Sequence, residues 1–149
     1  MGTRSNIIYE EPSGEVLSMY CHYDGYPDNN GRILLDQYNS AKKAKALIEI
    51  GYARSLKPKI MEVEPKRTGV PEHYRSLTSY MWSVDAVTIE YIYRWSKDED
   101  EWSVSESKII KPSDSYIVSV AYHTYFKRLH KVMMEVDKEI NRLEAVDAN

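Results

Sequence analysis

Two pairs of alternating segments constrain this chain most, because a two-residue period of apolar and polar side chains is typical of β-strands. Residues 6–11 and 15–24 are rich in β-branched and aromatic side chains, and the short segment PSG separates them. The second pair covers residues 86–95 and 102–110, with the acidic run SKDEDE between them as a solvated turn. Each pair predicts a hairpin. Together they predict an antiparallel sheet of about four strands.

Helical spacing of apolar residues follows the first hairpin and returns near the C-terminus. One helix is predicted to begin near Arg32, and a second to begin after Ser40, which can cap it, and to end at Gly51. A long helix is predicted from about Asp114 to about Glu144, although the segment SYIVSVAY alternates and also fits a strand. The predicted fold class is therefore α+β, with the antiparallel sheet packed by two short helices and one long C-terminal helix.

Residues 52–79 show neither period and contain three prolines. We expect a long irregular connection there, with a short helical turn around residues 72–77. Connections of this length are uncommon in compact domains and are often functional. The length of 149 residues and the hydrophobic content of 42% suffice for one core. We expect a single domain over residues 1–149, with the C-terminal part of the last helix projecting from it.

The long C-terminal helix carries an apolar stripe that needs a cover. Its members recur at steps of three and four residues: Val118, Tyr122, Tyr125, Leu129, Val132, Val136, Ile140 and Leu143. Such a helix extends about 45 Å, whereas the predicted strands span about 20–30 Å. Either the helices of residues 32–50 cover the remainder, or segment 129–143 meets its copy in a second chain. The narrow seam between polar residues favours a homodimer.

The composition argues against several classes of protein. The 20 basic and 23 acidic residues give a net charge of -3, which disfavours generic nucleic-acid binding because phosphate backbones require a basic surface. Cys21 is the only cysteine, so no intramolecular disulfide can form, as suits a reducing cytoplasm. No run approaches the roughly 18 apolar residues of a membrane span. We expect a soluble cytoplasmic protein with no membrane partner.

His22 and Asp24 are the most suggestive pair for chemistry. They lie two residues apart at the end of a predicted strand, so their side chains share a face and Asp24 could orient His22 as a general base. Alternatively, Asp24 and Gly25 form the turn after the strand, with Gly25 at positive φ. Arg4 is expected near Asp24, where it either pairs with that carboxylate or binds an anionic ligand.

The sequence motifs of common enzyme classes are absent. His123 and His130 lie seven residues apart on one face of the predicted helix, but no third ligand accompanies them. No histidine is followed two positions later by serine or threonine, so the paired motif of two-histidine phosphoesterases is missing. Phosphate-loop, Rossmann, serine-hydrolase and zincin motifs are missing too. We predict no catalytic residue, no metal site and no cofactor.

Three segments resemble a recurrent family of small phage and prophage proteins: MGTRSNIIYEE, YCHYDGYPDNNGRILLDQYN and ALIEIGYARSLKP. Members of that family open with M-G-T-R-S, carry Y-C-H-x-D-G-Y-P-x-x-x-G, and continue with a leucine-rich helix and L-I-x-x-G. The resemblance covers residues 1 to about 60. It implies a phage origin and, by analogy with other small accessory phage proteins, a factor that acts on host machinery or host defence inside the infected cell.

We therefore expect a non-enzymatic phage accessory protein that binds and neutralises a host component, its partner being a host protein or a small anionic ligand. The expected binding surface consists of Arg4, Tyr20, His22, Asp24, Tyr26 and Asn30. Two alternatives stay open. A small-ligand sponge would hold a nucleotide phosphate on Arg4 and stack a tyrosine on the base, and a small hydrolase would use His22 and Asp24.

Overall fold

A mixed eight-stranded sheet forms the centre of this computed structural model, which describes residues 2–64, 69–110 and 120–147. Its strands are β1 (Ser5–Glu10), β2 (Val16–Cys21), β3 (Tyr52–Ala53), β4 (Glu72–Tyr74), β5 (Tyr91–Trp95), β6 (Trp102–Ile110), β7 (Val120–His123) and β8 (Lys127–Arg128). Their order is β3-β2-β1-β5-β6-β7, with β4 also paired to β2 and β8 also paired to β6. Both predicted hairpins, β1–β2 and β5–β6, are confirmed.

The two hairpins join in parallel, so the prediction of an antiparallel sheet of about four strands is wrong. Strand β1 pairs with β5 in the parallel direction, with Ile7 opposite Tyr93 and Tyr9 opposite Trp95. The first strand of each hairpin lies at the junction, and both run the same way. Which edges meet depends on packing between distant segments, which local alternation does not encode. The short strands β3, β4, β7 and β8 then extend the sheet beyond the two hairpins.

Four α-helices lie in the described part of the chain: α1 (Arg32–Gln37), α2 (Ala41–Ile48), α3 (Leu77–Ser83) and α4 (Leu129–Asp147). A π-helical turn, Pro27–Gly31, precedes α1, and a 3-10 turn covers Ile60–Glu62. The predicted start of α1 and cap of α2 are confirmed, since the Ser40 side chain accepts a hydrogen bond from the Lys43 backbone N–H. Gly51 follows α2 with a φ of 81°, as suits a helix stop.

Helix α4 is shorter than predicted, because Val120–His123 and Lys127–Arg128 before it form strands. Both β7 and β8 pair with β6, and the helix begins at Leu129. Tyr122 and Tyr125, predicted members of the helical stripe, lie instead on β7 and on the connection after it. Residues 114–119 of the predicted helix lie outside the described residues. The apolar spacing that predicted one long helix therefore came from a strand followed by a shorter helix.

Segment 52–79, predicted to be irregular, contributes two short strands and the start of a helix. Strands β3 and β4 both pair with β2. The predicted helical turn around 72–77 is wrong, because its first residues form β4 and α3 begins only at Leu77. Ser76 caps α3 by accepting a hydrogen bond from the Ser79 backbone N–H. Strands of two and three residues are too short to show an alternation.

Apolar side chains cover both faces of the sheet. On the first face, Ile7 and Tyr9 of β1 belong to the large core that includes residues of α1, α2 and α4. Cys21 is buried on this face. On the second face, Ile8 packs with Tyr80 of α3. Strand β1 is thus buried on both sides, whereas the second face has only the seven-residue α3 as its helical cover among the described residues.

The first half of α4 packs on the first face, and its end is exposed. Leu129 and Met133 are buried, and the Arg32 guanidinium lies 2.5 Å from the Asp137 carboxylate. Beyond this ion pair the side chains of residues 141–146 are exposed, and Leu143 is 51% exposed. The apolar stripe of α4 therefore extends beyond the part of the helix that packs on the sheet.

Gly25 does not adopt positive φ, so that prediction is wrong. Asp24 takes the left-handed conformation instead, with a φ of 57°. Gly25 is required for space, because a Cβ atom there would lie 2.8 Å from Ser5 Cβ and 2.9 Å from the Thr3 carbonyl oxygen. Its own carbonyl oxygen accepts a 2.6 Å hydrogen bond from the Tyr93 hydroxyl. The turn is thereby packed against both β1 and β5.

We predict that Gly25→Ala lowers the free energy of unfolding by about 1–3 kcal/mol, because the added methyl group forces the turn away from β1. Urea unfolding followed by circular dichroism measures the change. Ser13→Ala, in the exposed turn between β1 and β2, is the control and should leave stability nearly unchanged. Equal stability of the two variants would contradict the close packing described for Gly25.

Candidate functional site

The stretch from Tyr20 to Gly31 is divided between the core and the surface. Asn30 is fully buried, and its side-chain amide donates a 3.1 Å hydrogen bond to Ser5 Oγ and lies 3.5 Å from Cys21 Sγ. The Asn29 side-chain amide donates to Asn30 Oδ1 at 3.1 Å. Asn30, included in the expected binding surface, therefore joins the turn to β1 and β2 in the interior.

The π-helical turn also forms the surface on which α4 packs. A Cβ atom on Gly31 would lie 3.1 Å from Leu129 Cδ1 and 3.3 Å from Met133 Sδ. The missing side chain thus lets α4 approach the turn closely. Arg32 strengthens this contact, since its guanidinium bonds both Asp28 and Asp137, and these bonds raise its pKa further.

Asp24 and Tyr26 lie on the exposed part of the turn. Strand β2 ends at Cys21 and Asp24 has left-handed φ, so the argument that Asp24 shares a strand face with His22 does not hold. The Asp24 carbonyl oxygen accepts a hydrogen bond from the Asn29 side chain. Of the ion pairs between described residues, none joins Arg4 to Asp24.

The other three expected residues come together on the second face of the sheet, at its end beyond α3. The pairing of β1, β2 and β3 places Asn6, Tyr20 and Tyr52 in one row across the strands. Continued past the strand ends, the same register places Arg4, His22 and Arg54 in the next row, and the His22 backbone N–H donates to the Ala53 carbonyl oxygen at 3.1 Å. We call these six residues the Tyr20 surface.

Hydrogen bonds and ring contacts hold the Tyr20 surface together. The Tyr20 hydroxyl lies 2.8 Å from His22 Nδ1, and the Tyr20 and Tyr52 ring centroids are 5.4 Å apart. His22 meets the neighbouring Tyr23 ring edge to face at 4.5 Å, and the Arg54 guanidinium lies 5.8 Å from the Tyr23 centroid. These contacts organise aromatic and cationic groups without enclosing them.

Protonation of the Tyr20 phenol is set by its surroundings. Burial raises its pKa, while the charge of Arg4 and a hydrogen bond from that side chain act in the opposite direction. The hydroxyl therefore stays protonated near neutral pH and serves as a hydrogen-bonding group. Since His22 Nδ1 faces this hydroxyl, the geometry gives little support to a general base oriented by Asp24.

A small polar pocket of about 200 Å³ adjoins the Tyr20 surface and is lined by Asn6, Ser18, Tyr20, Gly51 and Glu72. The Asn6 side-chain amide donates to the Tyr80 hydroxyl at 2.7 Å, and the Glu72 carboxylate accepts from the Tyr74 hydroxyl at 2.5 Å. The pocket walls are thus fixed by hydrogen bonds and expose both amide and carboxylate groups. Its volume suits one side chain of a partner.

A larger cleft of about 420 Å³ separates α3 from the connection after β7, and the sequence did not indicate it. Its lining residues are Leu77, Thr78, Met81, Trp82, His123, Thr124, Tyr125 and Phe126. Trp82 is 85% exposed and Tyr125 is 76% exposed. The cleft was missed because α3 has only seven residues, too few to show a helical period.

His123 and His130 do not share a helix face, contrary to the prediction, because His123 belongs to β7. Its Nε2 lies 2.8 Å from the Ile89 carbonyl oxygen, and its Nδ1 lies 3.1 Å from Ser105 Oγ. Burial lowers the pKa of His123, although hydrogen bonds with the backbone of Ile89 and of Ser105 oppose the shift. Within residues 2–64, 69–110 and 120–147, no group of three or more His, Cys, Asp and Glu side chains is arranged to hold a metal ion.

Comparison with known proteins gives no family assignment. No protein-family model matches the chain, and no match was found among the curated proteins or the solved structures. Among the described residues, no helix has both the length and the apolar character needed to cross a bilayer. Function must therefore be argued from the surfaces themselves.

Sequence reasoning identified Arg4, Tyr20 and His22 of this surface but missed Asn6, Tyr52 and Arg54. Tyr52 begins a strand of two residues and Arg54 follows it, and their position beside Tyr20 follows only from the parallel pairing of β3 with β2. The segment Tyr-Ala-Arg is too short for alternating side chains to indicate a strand. Of the remaining expected residues, Asn30 is structural and Asp24 and Tyr26 lie on the turn.

We predict that Asn30→Ala lowers the free energy of unfolding by about 1–3 kcal/mol, because the buried Ser5 hydroxyl loses its partner and a cavity is left. Chemical unfolding of the purified variant measures this. Asn39→Ala, at an exposed position between α1 and α2, is the matched control and should behave like the unmodified protein. An Asn30→Ala protein of unchanged stability would contradict the structural role.

Proposed function

We propose that this chain is a non-enzymatic phage accessory protein that binds and neutralises a host component in the host cytoplasm, as part of host takeover or anti-defence. The observation that supports this most is the Tyr20 surface, where aromatic and basic side chains lie together on the second face of the sheet and stay partly exposed beside the cluster that contains Tyr80 of α3. Tyrosine and arginine are enriched among the residues that contribute most to binding at protein interfaces. A surface of this composition suits recognition of a partner.

The packing of the 20–31 stretch separates residues needed for folding from residues available for binding. Asn30 and Gly31 are buried, so their place in the phage-like motif is explained by folding. Tyr20 and His22 are half-buried, and Tyr23 is 37% exposed. Since Tyr20 and His22 are only half-buried, packing of the core alone does not explain these two motif positions.

The alternatives receive less support from the geometry. Pockets that enclose small ligands usually have volumes of about 300–1,000 Å³, whereas the pocket beside Tyr20 has about 200 Å³. A nucleotide sponge would need more enclosure than this surface provides. A hydrolase would need an oriented base, and the turn carries Asp24 out of the strand that ends at Cys21.

We predict that affinity-tagged protein retains a host component from lysate, and that a variant combining Tyr20→Ala with His22→Ala retains at least about tenfold less of it. Mass spectrometry of proteins and small molecules identifies what is retained. Trp82→Ala is the control, because it removes a more exposed aromatic ring from a different surface. Retention that is equal in all three proteins, or lost only with Trp82→Ala, would refute the role of the Tyr20 surface.

We also propose that the protein forms a homodimer through the end of α4. Ile140 and Leu143 continue the helix face on which Leu129 is buried, yet Leu143 is 51% exposed. Burying each large apolar side chain contributes about 1.5–3 kcal/mol. A second copy of the helix would supply that cover.

Leu143→Glu is expected to shift the dimer to the 17.4 kDa monomer, because it places a charge in the proposed seam. Light scattering coupled to size-exclusion chromatography measures the mass at tens of micromolar protein. Asn141→Glu introduces the same charge on an exposed position two residues away and should leave the mass unchanged. Leu129 is unsuitable for this test because it is buried in the core. A monomer mass for the unmodified protein would exclude the dimer.

A further inference from the structure

We propose that the Tyr20 surface binds an acidic segment of a partner protein, with carboxylates of that segment facing Arg4 and Arg54. This inference rests on the proposed binding function and specifies the chemistry of its partner. It follows from the way in which the sheet register, the pairing of charges and the openness of the surface combine.

The register gathers two arginines and a histidine from three separate strands or strand ends. Arg4 precedes β1, His22 follows β2 and Arg54 follows β3, and the paired positions Ser5–Cys21 and Cys21–Ala53 lie directly before them in the sheet. His22 lies on the same face as Tyr20, since its Nδ1 is 2.8 Å from the Tyr20 hydroxyl, and Arg4 is close enough to Tyr20 for its charge to act on the pKa of that phenol. Arg54 follows Tyr52 by two positions, as His22 follows Tyr20. Two arginines and a histidine thus border the row that contains the Tyr20 and Tyr52 rings.

The arginines of this row differ from four other arginines of the described residues in lacking a carboxylate partner. Those with one are Arg32, Arg94, Arg128 and Arg142. Arg4 and Arg54 form no such ion pair with any described residue. Arg4 lies close enough to Tyr20 for its charge to oppose the rise in the pKa of that phenol, and Arg54 lies over the Tyr23 ring. Both guanidinium groups keep donors for a carboxylate from outside.

The acidic residues next to Arg4 and Arg54 form no ion pair with these two arginines among the described residues. Glu64 is next to Arg54, whose backbone N–H donates to the Glu64 carbonyl oxygen at 3.2 Å. Glu90 is next to Arg4 on the β5 side, where its backbone N–H donates to the Arg4 carbonyl oxygen, but its exposed carboxylate forms no ion pair with Arg4 among the described contacts. Glu72, in the adjoining pocket, accepts a hydrogen bond from Tyr74. The pocket therefore suits an uncharged hydrogen-donating side chain, while the arginine row suits an anion.

The openness of the surface favours a protein segment over a small anion. Arg54 is exposed and Tyr23 is 37% exposed, so a bound ligand would be covered on one side only, whereas small ligands are usually mostly buried in their sites. An extended acidic segment can contact both rows at once. Arginine offers paired donors that match a carboxylate, and the flat rings provide contact area at low conformational cost.

Fluorescence anisotropy with a fluorescein-labelled decaglutamate peptide tests this directly. We expect the unmodified protein to bind the peptide, and the affinity to fall as salt rises from about 0.05 M to about 0.5 M. Arg54→Gln should weaken binding about tenfold, the equivalent of about 1.4 kcal/mol. Arg75→Gln is the matched control, because Arg75 is also exposed and unpaired but lies at the opposite end of β2; it should change affinity less than about twofold.

Arg4→Gln gives a second, independent variant with the same expected loss, and circular dichroism confirms that each variant is folded. Equal affinities for Arg54→Gln and Arg75→Gln would overturn the proposal, as would absence of peptide binding by the unmodified protein. Displacement of the peptide by equimolar ATP or inorganic phosphate would assign the row to a small anion and also overturn it. A lysate partner lost with the Tyr20 and His22 substitutions, but no peptide binding, would refute the acidic segment while keeping the proposed function.

Discussion

The parallel pairing of β1 with β5 is the contact on which the rest of the fold depends. Without it the chain would contain two separate hairpins, each with one unsatisfied edge. With it, β1 becomes a central strand with Ile7 and Ile8 buried on opposite faces. The Tyr93 hydroxyl, brought beside β1 by this pairing, then bonds the Gly25 carbonyl oxygen. The junction therefore positions both the sheet and the turn that follows β2.

That turn shows how one short motif serves two purposes. Of its interior residues, Asn30 bonds the turn to β1, and Gly31 lets α4 pack directly against the turn. Its surface residues Tyr20 and His22 face the other side of the sheet, where no long helix covers them in the described structure. A dense run of Cys, His, Asp and Tyr residues is thus divided into a buried set and a partly exposed set.

Local patterns predicted the local parts of this structure. Both hairpins and the Ser40 cap follow from neighbouring residues, so the sequence was sufficient for them. The parallel junction was not predicted because it joins residues more than eighty positions apart, as Ile7 and Tyr93 do. The same limit applies to the site: Arg4, Tyr20 and His22 were found on one hairpin, whereas Arg54 joins them through a two-residue strand. Asn30 was misassigned because a polar side chain in a turn gives no sign of its burial.

Nuclear Overhauser contacts between backbone protons of isotope-labelled protein test the junction most directly. Parallel pairing of β1 with β5 predicts contacts that link Ile7 with Tyr93 and Tyr9 with Trp95. The residue numbers of the contacting partners then rise together along both strands. Contacts in which the β5 residue number falls as the β1 residue number rises would show antiparallel pairing. Such a pattern, or an absence of contacts between β1 and β5, would contradict the parallel junction of the two hairpins.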